Sequence, residues 1–565
     1  MLKVSCAHVN LKKLPNGSFS PRKFIKENFL IFFIIIFAAS LLSINLGKPF
    51  IGHHDWNGAF WGSSIRRYLS YFEITPNPPE SRVPLQSLFY TDYTPFLPLV
   101  FTFFAAIFGL SEATLRLAPT AFSLLMLFFI YKIGQTLFNK SVGYLAAIFT
   151  AVTPMFLYFG KLPDHEPIVT SLVTITFYFY LKATRKNKKT YYLFLLFLAL
   201  SLLESWPAFF LIPPLMLSSV FLKKEKIKRV ITPVIIALFV IISQFSLIIY
   251  FKGTQGLINF FSQGLTRINS SSVASETTKF NTLEFINTEA HYAVIYFTRL
   301  LIISSFLWLV ILVWKIKQRK TSASDWYLVI LFSYAFLFIL TFQQLAYIHD
   351  YKLYHFLPFI TLSAASFWYL FLNKLENFLE EQITKKVKYQ ASKFFIFDFK
   401  NTPPKIEYLG GDELKKKHTF EPERRIPRAF TPRKFIIIIL IIFLVGTERL
   451  AYLSTLLKTS FNMPGYELGN LIKANTSPQD TVLVDSRQFK GFFEVFVGYY
   501  SDRKVDYGDI SLKEFEKAQP NYKKYKYIIL IDERTEDPTL ESYLNDIFPS
   551  KRFGPYQFFA LDNKI

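Results

Sequence analysis

The sequence is poor in cysteine and in charge. It contains one cysteine, Cys6, in 565 residues, which excludes an internal disulfide bond and any metal site built from cysteine ligands. Charged residues make up only 19% of the chain, whereas 51% of the residues are hydrophobic. The apolar residues form long blocks, such as "FLIFFIIIFAASLLSINL" (29–46) and "FIIIILIIFLVG" (435–446). Because a helix of about 20 apolar residues crosses a bilayer, these blocks predict a polytopic membrane protein.

The net charge of +23 comes from lysine and arginine clusters that lie between the apolar blocks. Two examples are "KATRKNKK" (182–189) and "KKEKIKR" (223–229). Such clusters are typical of cytoplasmic loops of membrane proteins and not of a DNA-binding face, so we expect membrane lipids but no nucleic acid as partners. The basic segment 1–27 precedes the first apolar block without a small-residue cleavage site. It is therefore predicted to be an uncleaved cytoplasmic tail.

The basic clusters also predict the topology, because they should all lie on the cytoplasmic side. This condition gives eleven transmembrane helices, at 28–47, 113–138, 141–160, 168–182, 191–204, 208–222, 231–251, 292–314, 326–342, 356–372 and 435–453. The block "YTPFLPLVFTFFAAIFG" (93–109) is short and contains two prolines. Counting it as a span would place two basic clusters outside, so it is predicted to lie at the membrane interface.

The predicted fold class is an all-α polytopic membrane protein with a small extracytoplasmic α/β domain. A membrane domain at 28–372 carries the outer loops 48–112, 160–167, 253–290 and 343–355. A basic cytoplasmic segment at 373–434 and a last transmembrane helix at 435–453 follow. In the C-terminal domain, 454–565, "DTVLVDS" and "KYIILIDE" resemble buried parallel strands and "ISLKEFEKAQ" a helix between them.

Ionisable residues gather on the predicted outer side, next to the ends of the spans. They are His53, His54 and Asp55 in the first loop; Asp164, His165 and Glu166 in the second; Glu204 in the third; and His349, Asp350, Lys352 and His355 before the tenth span. A single residue of this kind can be an interfacial group that extends to water. Ionisable groups at membrane depth are energetically costly, however, and four clusters on one side favour a functional site.

These residue types suit transfer of a group from a phosphate. A carboxylate can act as a general base, and cations can stabilise the charge on a leaving phosphate. The cations on the predicted outer side are Arg66, Arg67, Lys161, Arg299 and Lys352. The rings of Trp56, Trp61, Tyr93, Tyr351 and Tyr354 are either contacts for a lipid-linked sugar or an ordinary interfacial aromatic belt. A divalent metal is a further alternative, with Asp55, Asp164, Glu166 and His349 as candidate ligands.

Three stretches resemble a known family: "HHDWN" (53–57), "SEATLRLAPTAFS" (111–123) and "YKLYHFLP" (351–358). They are similar to segments of the GT-C class of membrane glycosyltransferases, in particular the dolichyl-phosphate-mannose protein mannosyltransferase-like and aminoarabinose transferase-like enzymes. The resemblance covers about residues 25–375. It implies transfer of a sugar from a polyprenyl-phosphate donor to a protein, lipid or glycan acceptor at the outer face, with inversion at the anomeric carbon.

The resemblance also implies roles for individual residues. Asp55 matches the acid of the first loop, which is the catalytic base in that family. The second acid is Asp164 or Glu166, and Glu166 is preferred because it directly precedes Pro167. The donor phosphate and sugar are expected to contact His53, His54, Trp56, Arg66, Arg67, Tyr93, Lys161, His165, Tyr351, Lys352, Tyr354 and His355. Family members often carry His or Lys beside the proline that opens the 93–109 block, whereas here Tyr93 and Thr94 precede it.

Two other classes of protein fit parts of the pattern. A transporter or flippase of lipid-linked sugars would also have many spans and buried charges. The sequence shows no internal repeat, and its charges lie in loops and not in mid-span. A receptor-like protein would depend on the C-terminal domain, 454–565, for its function.

Overall fold

The computed structural model of this protein describes residues 21–71, 91–183, 187–268, 279–396, 432–485, 493–508, 510–517, 522, 524–531 and 538–561. Most of the predicted cytoplasmic tail lies outside these residues. So do 72–90 of the first predicted loop, 269–278 of the predicted loop 253–290, and 397–431 of the basic segment.

The described part of the chain up to residue 447 is mostly helical. Its α-helices are α1 (Pro21–Leu42), α2 (Trp56–Tyr71), α3 (Phe96–Phe108), α4 (Glu112–Leu137), α5 (Lys140–Val152), α6 (Pro154–Phe159), α7 (His165–Lys182), α8 (Lys188–Glu204), α9 (Ile212–Phe221), α10 (Ile227–Ile268), α11 (Thr282–Phe297), α12 (Arg299–Lys317), α13 (Ala323–Thr341), α14 (Gln343–Ile348), α15 (Leu357–Ile396) and α16 (Pro432–Thr447). Two 3₁₀ segments, Trp206–Leu211 and Asp350–Phe356, precede α9 and α15.

Length and composition identify membrane-crossing helices in this bundle. Six helical segments of the described chain are long and apolar enough to span a bilayer, and further apolar helices are shorter. Their lipid-facing side chains are large and apolar, such as Phe33, Ile36 and Phe239, each at least 60% exposed. The chain is therefore a multi-pass membrane protein, as predicted. The count of eleven spans and the orientation of the termini stay predictions.

Helix α3 coincides with the block predicted to lie at the interface. Its 13 residues extend about 20 Å at 1.5 Å per residue, which is short of the roughly 30 Å hydrocarbon core. One side of the helix buries Leu97 and Phe101 against neighbouring helices, while the other exposes Phe103 and Ile107. A short helix with one packed side and one apolar exposed side fits an interfacial position.

Two predicted boundaries differ from the structure. The segment 253–290, predicted to be a polar loop, is helical up to Ile268 and again from Thr282. The chain breaks direction within α10 at Gly253, whose φ of 66° favours glycine. The helix then resumes because Ile258, Phe261 and Leu265 recur at helical spacing. Helix α15 likewise continues beyond the predicted span end at 372, to Ile396.

The C-terminal domain begins with α17 (Leu450–Lys458) and α18 (Met463–Asn475) and contains one five-stranded sheet. The remaining elements are β1 (Thr481–Asp485), α19 (Glu494–Ser501), β2 (Lys504–Gly508), α20 (Leu512–Lys517), β3 (Tyr527–Ile531), α21 (Pro538–Ile547), β4 (Ser550–Phe553) and β5 (Tyr556–Ala560). The strand order is β2-β1-β3-β5-β4. The predicted parallel pair of β1 and β3 is confirmed, whereas β5 runs antiparallel to both of its neighbours.

Contacts between this domain and the membrane domain converge on the segment that follows α1. The backbone N–H of Phe50 donates to the Tyr500 hydroxyl at 2.6 Å. Asn462 binds the next turn, through its N–H to the Ile51 carbonyl (3.1 Å) and its side-chain amide to the Gly52 carbonyl (3.2 Å). The C-terminal domain thus braces the loop that carries the first group of candidate site residues.

Candidate functional site

Asp55 lies at the end of this braced loop and directly before α2. One carboxylate oxygen accepts the Gly52 N–H at 2.7 Å, and the other accepts an Arg116 guanidinium N–H at 3.1 Å. The residue is only 8% exposed. Both of its hydrogen-bond partners are donors, and the N-terminus of α2 follows directly.

The Asp55 carboxylate lines an open cleft, which we call the Asp55 cleft. Its walls are formed by Asn45, Lys48, Gly52, His53, Asp55, Arg116, Tyr158, Lys161, Leu162, Leu456 and Leu457. Three cations, Lys48, Arg116 and Lys161, therefore surround one carboxylate. With an excess of positive charge, the cleft suits an anionic ligand.

Two of the cations, Lys48 and Lys161, are held by backbone carbonyls at the C-terminal ends of helices. Lys161 donates to the carbonyls of Leu42 and Ile44, where α1 ends. Lys48 donates to the carbonyls of Leu457 (2.8 Å) and Thr459 (2.7 Å), where α17 ends. A lysine at a helix C-terminus satisfies carbonyls that have no partner within the helix. These backbone contacts hold both ammonium groups in place.

Burial acts on the protonation of these lysines. Burial, and secondarily the charge of Arg116, lowers the pKa of Lys161 to about 8, although Asp55 opposes this change. The pKa of Lys48 is also lowered, again mainly by burial. A bound anion would raise the pKa of both lysines again, because an opposite charge nearby favours the protonated form.

The second acidic group begins α7. The Asp164 carboxylate caps the helix by accepting the His165 N–H at 2.8 Å, and it accepts the Asn57 side-chain amide at 2.6 Å. The same amide nitrogen of Asn57 lies 3.4 Å from the Tyr351 hydroxyl. Asn57 is two residues after Asp55 and thus connects the first two loops and the segment before α15.

Glu166 is 1% exposed and forms an ion pair with Lys352, which is 6% exposed. Its second oxygen has no hydrogen-bond partner among the described residues. Because it is fully enclosed and neutralised by Lys352, Glu166 is less accessible to an acceptor than Asp55. Neither Asp164 nor Glu166 lines the Asp55 cleft.

His53, His54 and Asp350 form a third group. Nε2 of His53 lies 2.9 Å from one Asp350 oxygen and Nε2 of His54 lies 2.8 Å from the other. The Tyr296 hydroxyl donates to the same carboxylate. Burial lowers the pKa of His54, although the Asp350 charge opposes the change. Among the described residues this is where three potential metal-ligating side chains meet within 4.8 Å.

Several other predicted residues lie in the packed interior near these groups. Nδ1 of His165 lies 2.9 Å from the Glu204 carboxylate, and the His165 ring stacks on Tyr93 at a centroid distance of 4.0 Å. The edge of Trp61 meets the same ring at 5.5 Å. These contacts assign Glu204 a partner but bring none of the four side chains into the Asp55 cleft.

Tyr354 and His355 are buried in the 3₁₀ segment Asp350–Phe356, directly before α15. The Tyr354 hydroxyl lies 2.9 Å from the hydroxyl of Ser123, and Nδ1 of His355 lies 2.9 Å from that of Thr170 and 2.8 Å from that of Tyr334. These hydrogen bonds hold α15 against the helices that carry the site.

The remaining predicted side chains that the structure describes lie outside the Asp55 cleft. Arg66 donates to the Tyr499 carbonyl at 2.8 Å and therefore connects to the C-terminal domain. The Arg67 side chain lies outside the described atoms. Arg299 is exposed and faces Glu448. Trp56 stacks on Phe60 at a centroid distance of 4.9 Å.

Sequence reasoning missed Lys48 and Arg116 as site residues. Arg116 lies in an apolar span, within the quoted "SEATLRLAPTAFS" stretch, and a cation at membrane depth is itself a signal of function. Lys48 follows the first span directly, where a lysine is an ordinary interfacial residue. Its role becomes visible only in the folded chain.

Comparisons with known proteins agree with this architecture. The model of the family described as dolichyl-phosphate-mannose-protein mannosyltransferase matches residues 92–250. The structure of ArnT from Cupriavidus metallidurans bound to undecaprenyl phosphate superposes with a TM-score of 0.59, at 11% identity, over 95% of this chain and 98% of that chain. The chain has the GT-C fold. The resemblance seen in the sequence is thereby confirmed.

Two further structures with the GT-C fold come from Archaeoglobus fulgidus. Its oligosaccharyltransferase AglB, in complex with an inhibitory peptide and a dolichol-phosphate, matches with a TM-score of 0.50, at 13% identity, over 96% of this chain and 75% of that chain. The oligosaccharyltransferase complex with Zn and sulfate also has a TM-score of 0.50, at 12% identity, over 88% and 68%. No curated protein matches the sequence.

Proposed function

We propose that the chain is an inverting glycosyltransferase that moves a sugar from a polyprenyl-phosphate donor to a protein, lipid or glycan acceptor on the outer face of the membrane. The Asp55 cleft carries this proposal, because it places one buried carboxylate beside three cations. A carboxylate can accept a proton from a nucleophile, and the cations can hold a phosphate. The undecaprenyl phosphate bound to ArnT, which shares the GT-C fold, supports the class of donor.

The three cations would hold the donor phosphate. Lys48 and Lys161 each direct two N–H groups at backbone carbonyls of the described chain. An ammonium carries three donors, so each lysine can present a third to a phosphate oxygen. Arg116 already donates to the Leu46 and Lys48 carbonyls and to Asp55, and the remaining N–H donors of its guanidinium can reach a phosphate oxygen. Together they would stabilise the negative charge that grows on the phosphate as it leaves.

Asp55 would act as the general base. The acceptor nucleophile attacks the anomeric carbon on the side opposite the phosphate and transfers its proton to the Asp55 carboxylate. The bond between the anomeric carbon and the phosphate oxygen breaks, and its electron pair leaves with the polyprenyl phosphate. Attack opposite the leaving group inverts the anomeric carbon. Arg116 keeps the carboxylate oriented through the 3.1 Å hydrogen bond.

A transfer assay separates this function from that of a transporter or flippase. Purified full-length chain is reconstituted in vesicles with a radiolabelled polyprenyl-phosphate monosaccharide, mannose first, and with acceptor membranes from the source cells. We expect label to become covalently attached to the acceptor and polyprenyl phosphate to be released. Movement of intact donor across the vesicle membrane, with no covalent product from any donor of a sugar panel, would instead establish the transporter.

The low pKa of Lys161 predicts a pH dependence for donor capture. Below about pH 8 the ammonium is protonated and binds the phosphate, and above it the neutral amine does not. We expect kcat/KM to fall by about tenfold as the pH rises through this value, because a hydrogen bond to a charged group contributes about 1.5–3 kcal/mol. In Lys161→Arg the guanidinium stays protonated, so kcat/KM should be flat over the same range. Equal profiles for the two proteins would contradict the role of Lys161.

A further inference from the structure

We infer that His53, His54 and Asp350 bind a divalent transition-metal ion of the Zn²⁺ type, which ties the loop carrying Asp55 to the segment before α15. Two imidazole nitrogens and a carboxylate oxygen are the ligand types that zinc takes in proteins. All three ligand atoms lie within 4.8 Å of one another. Of the metal ligands expected from the sequence, Asp55, Asp164 and Glu166 have other partners, whereas His349 lies beside this group.

The backbone is bent to bring the two histidines together. Consecutive side chains of an extended chain point in opposite directions, yet both imidazoles here reach the same carboxylate. This is achieved by a left-handed conformation at His54, with φ of 59°. Such a conformation is unfavourable for a residue other than glycine and persists only when the surrounding structure holds it in place. The Tyr158 hydroxyl fixes the bend by donating to the His53 carbonyl at 2.9 Å.

The charged groups around Asp350 are also compatible with a bound cation. Asp350 is 5% exposed, and Lys352, two residues later, is paired with Glu166. Both carboxylate oxygens of Glu289 on α11 are buried without a hydrogen-bond partner among the described residues. A divalent ion at His53, His54 and Asp350 would place positive charge beside the buried Asp350 carboxylate.

A fourth ligand is close to the group. The Nδ1 atom of His349 has no hydrogen-bond partner among the described residues, and its ring centroid lies 5.9 Å from that of His54. The ion can enter from the Asp55 cleft, because His53 lines the cleft and its side chain is 32% exposed. The bound ion would fix His54 and thereby the adjacent Asp55. Metal binding is independent of whether the chain transfers a sugar.

The inference is tested by metal content and spectroscopy. Full-length protein in detergent is stripped with EDTA, dialysed against ZnCl₂ with excess Mg²⁺ and Ca²⁺, and analysed by mass spectrometry of the metal. We expect about one zinc per chain, and a melting temperature that is higher with zinc than with EDTA, because ligand binding stabilises the folded state. With Co²⁺ in place of zinc, the wild-type protein should show visible d–d absorption that zinc abolishes.

Variants assign the metal to this site. Asp350→Asn and His53→Gln should both lose the zinc and the cobalt spectrum, whereas His291→Gln, which alters an exposed histidine on α11, should keep both. Should a variant aggregate, the wild-type cobalt spectrum and zinc-dependent melting still decide the question. A wild-type protein that retains no zinc and melts at the same temperature with zinc and EDTA would overturn the inference. Equal zinc retention by Asp350→Asn would show adventitious binding only.

Discussion

Asp55→Asn should lower kcat/KM for sugar transfer by about 10²–10⁴-fold, the range that general-base catalysis contributes. Asparagine has the shape of aspartate but cannot take up the proton of the acceptor. It also offers one acceptor oxygen to two donors, the Gly52 N–H and the Arg116 guanidinium. We expect binding of the polyprenyl-phosphate donor to change less than turnover, since the three cations of the cleft remain.

The experiment compares initial rates of transfer, binding of labelled donor and melting temperature for the purified protein. Asp546→Asn is the matched control, because Asp546 is exposed on α21 and remote from the cleft. It should transfer sugar at the wild-type rate. If Asp55→Asn is folded and as active as Asp546→Asn, the base is another group and the proposed mechanism is wrong.

The membrane helices were predictable because side chains that face lipid must be apolar. A lipid-facing helix is apolar along its length, so its approximate position follows from the sequence alone. For α3 the prediction came from charge, because the basic clusters all lie on the cytoplasmic side only if α3 does not span the membrane. The Ser, Thr and Asn residues of 253–290 suggested an irregular loop, whereas the apolar side chains from 258 to 265 form a helix within this segment.

Two strands of the C-terminal sheet, β1 and β3, were predictable from their apolar sequences. Strands β1 and β3 are fully buried runs of Val, Leu and Ile, which read as parallel strands. Strand β2 is partly exposed and β4 is polar, "SKRF", so neither carries an apolar run. Their positions depend on pairing with the central strands and not on their own composition.

The partners within the site could not be predicted. Asp55 and Glu166 were both candidates by position, but which of them is accessible depends on side chains far away in the chain. Arg116 is 61 residues from Asp55, and Lys352 is 186 residues from Glu166. A single sequence shows which residues are ionisable but not which of them meet. The preference for Glu166 as the second acid therefore stays a prediction, and its ion pair with Lys352 points to a positioning role.

Lys352→Met should destabilise the protein by about 3–5 kcal/mol, because it leaves the buried Glu166 carboxylate without a counter-charge. Glu166→Gln should do the same to Lys352. Both residues are at most 6% exposed, so water cannot replace the lost partner. The double variant removes both charges and should recover most of the lost stability. The measurement is the free energy of unfolding of all four proteins, compared in a double-mutant cycle.

The same double variant separates positioning from catalysis. If the ion pair only holds α7 against the segment before α15, the refolded double variant should transfer sugar within about tenfold of the wild-type rate, a difference of about 1.4 kcal/mol in the barrier. A stable but inactive double variant would contradict a purely positioning role and would place Glu166 or Lys352 in the catalytic machinery. Lys315→Met/Asp325→Asn is the matched control, since that pair joins α12 to α13 at 2.9 Å without contacting the cleft. It should affect stability alone.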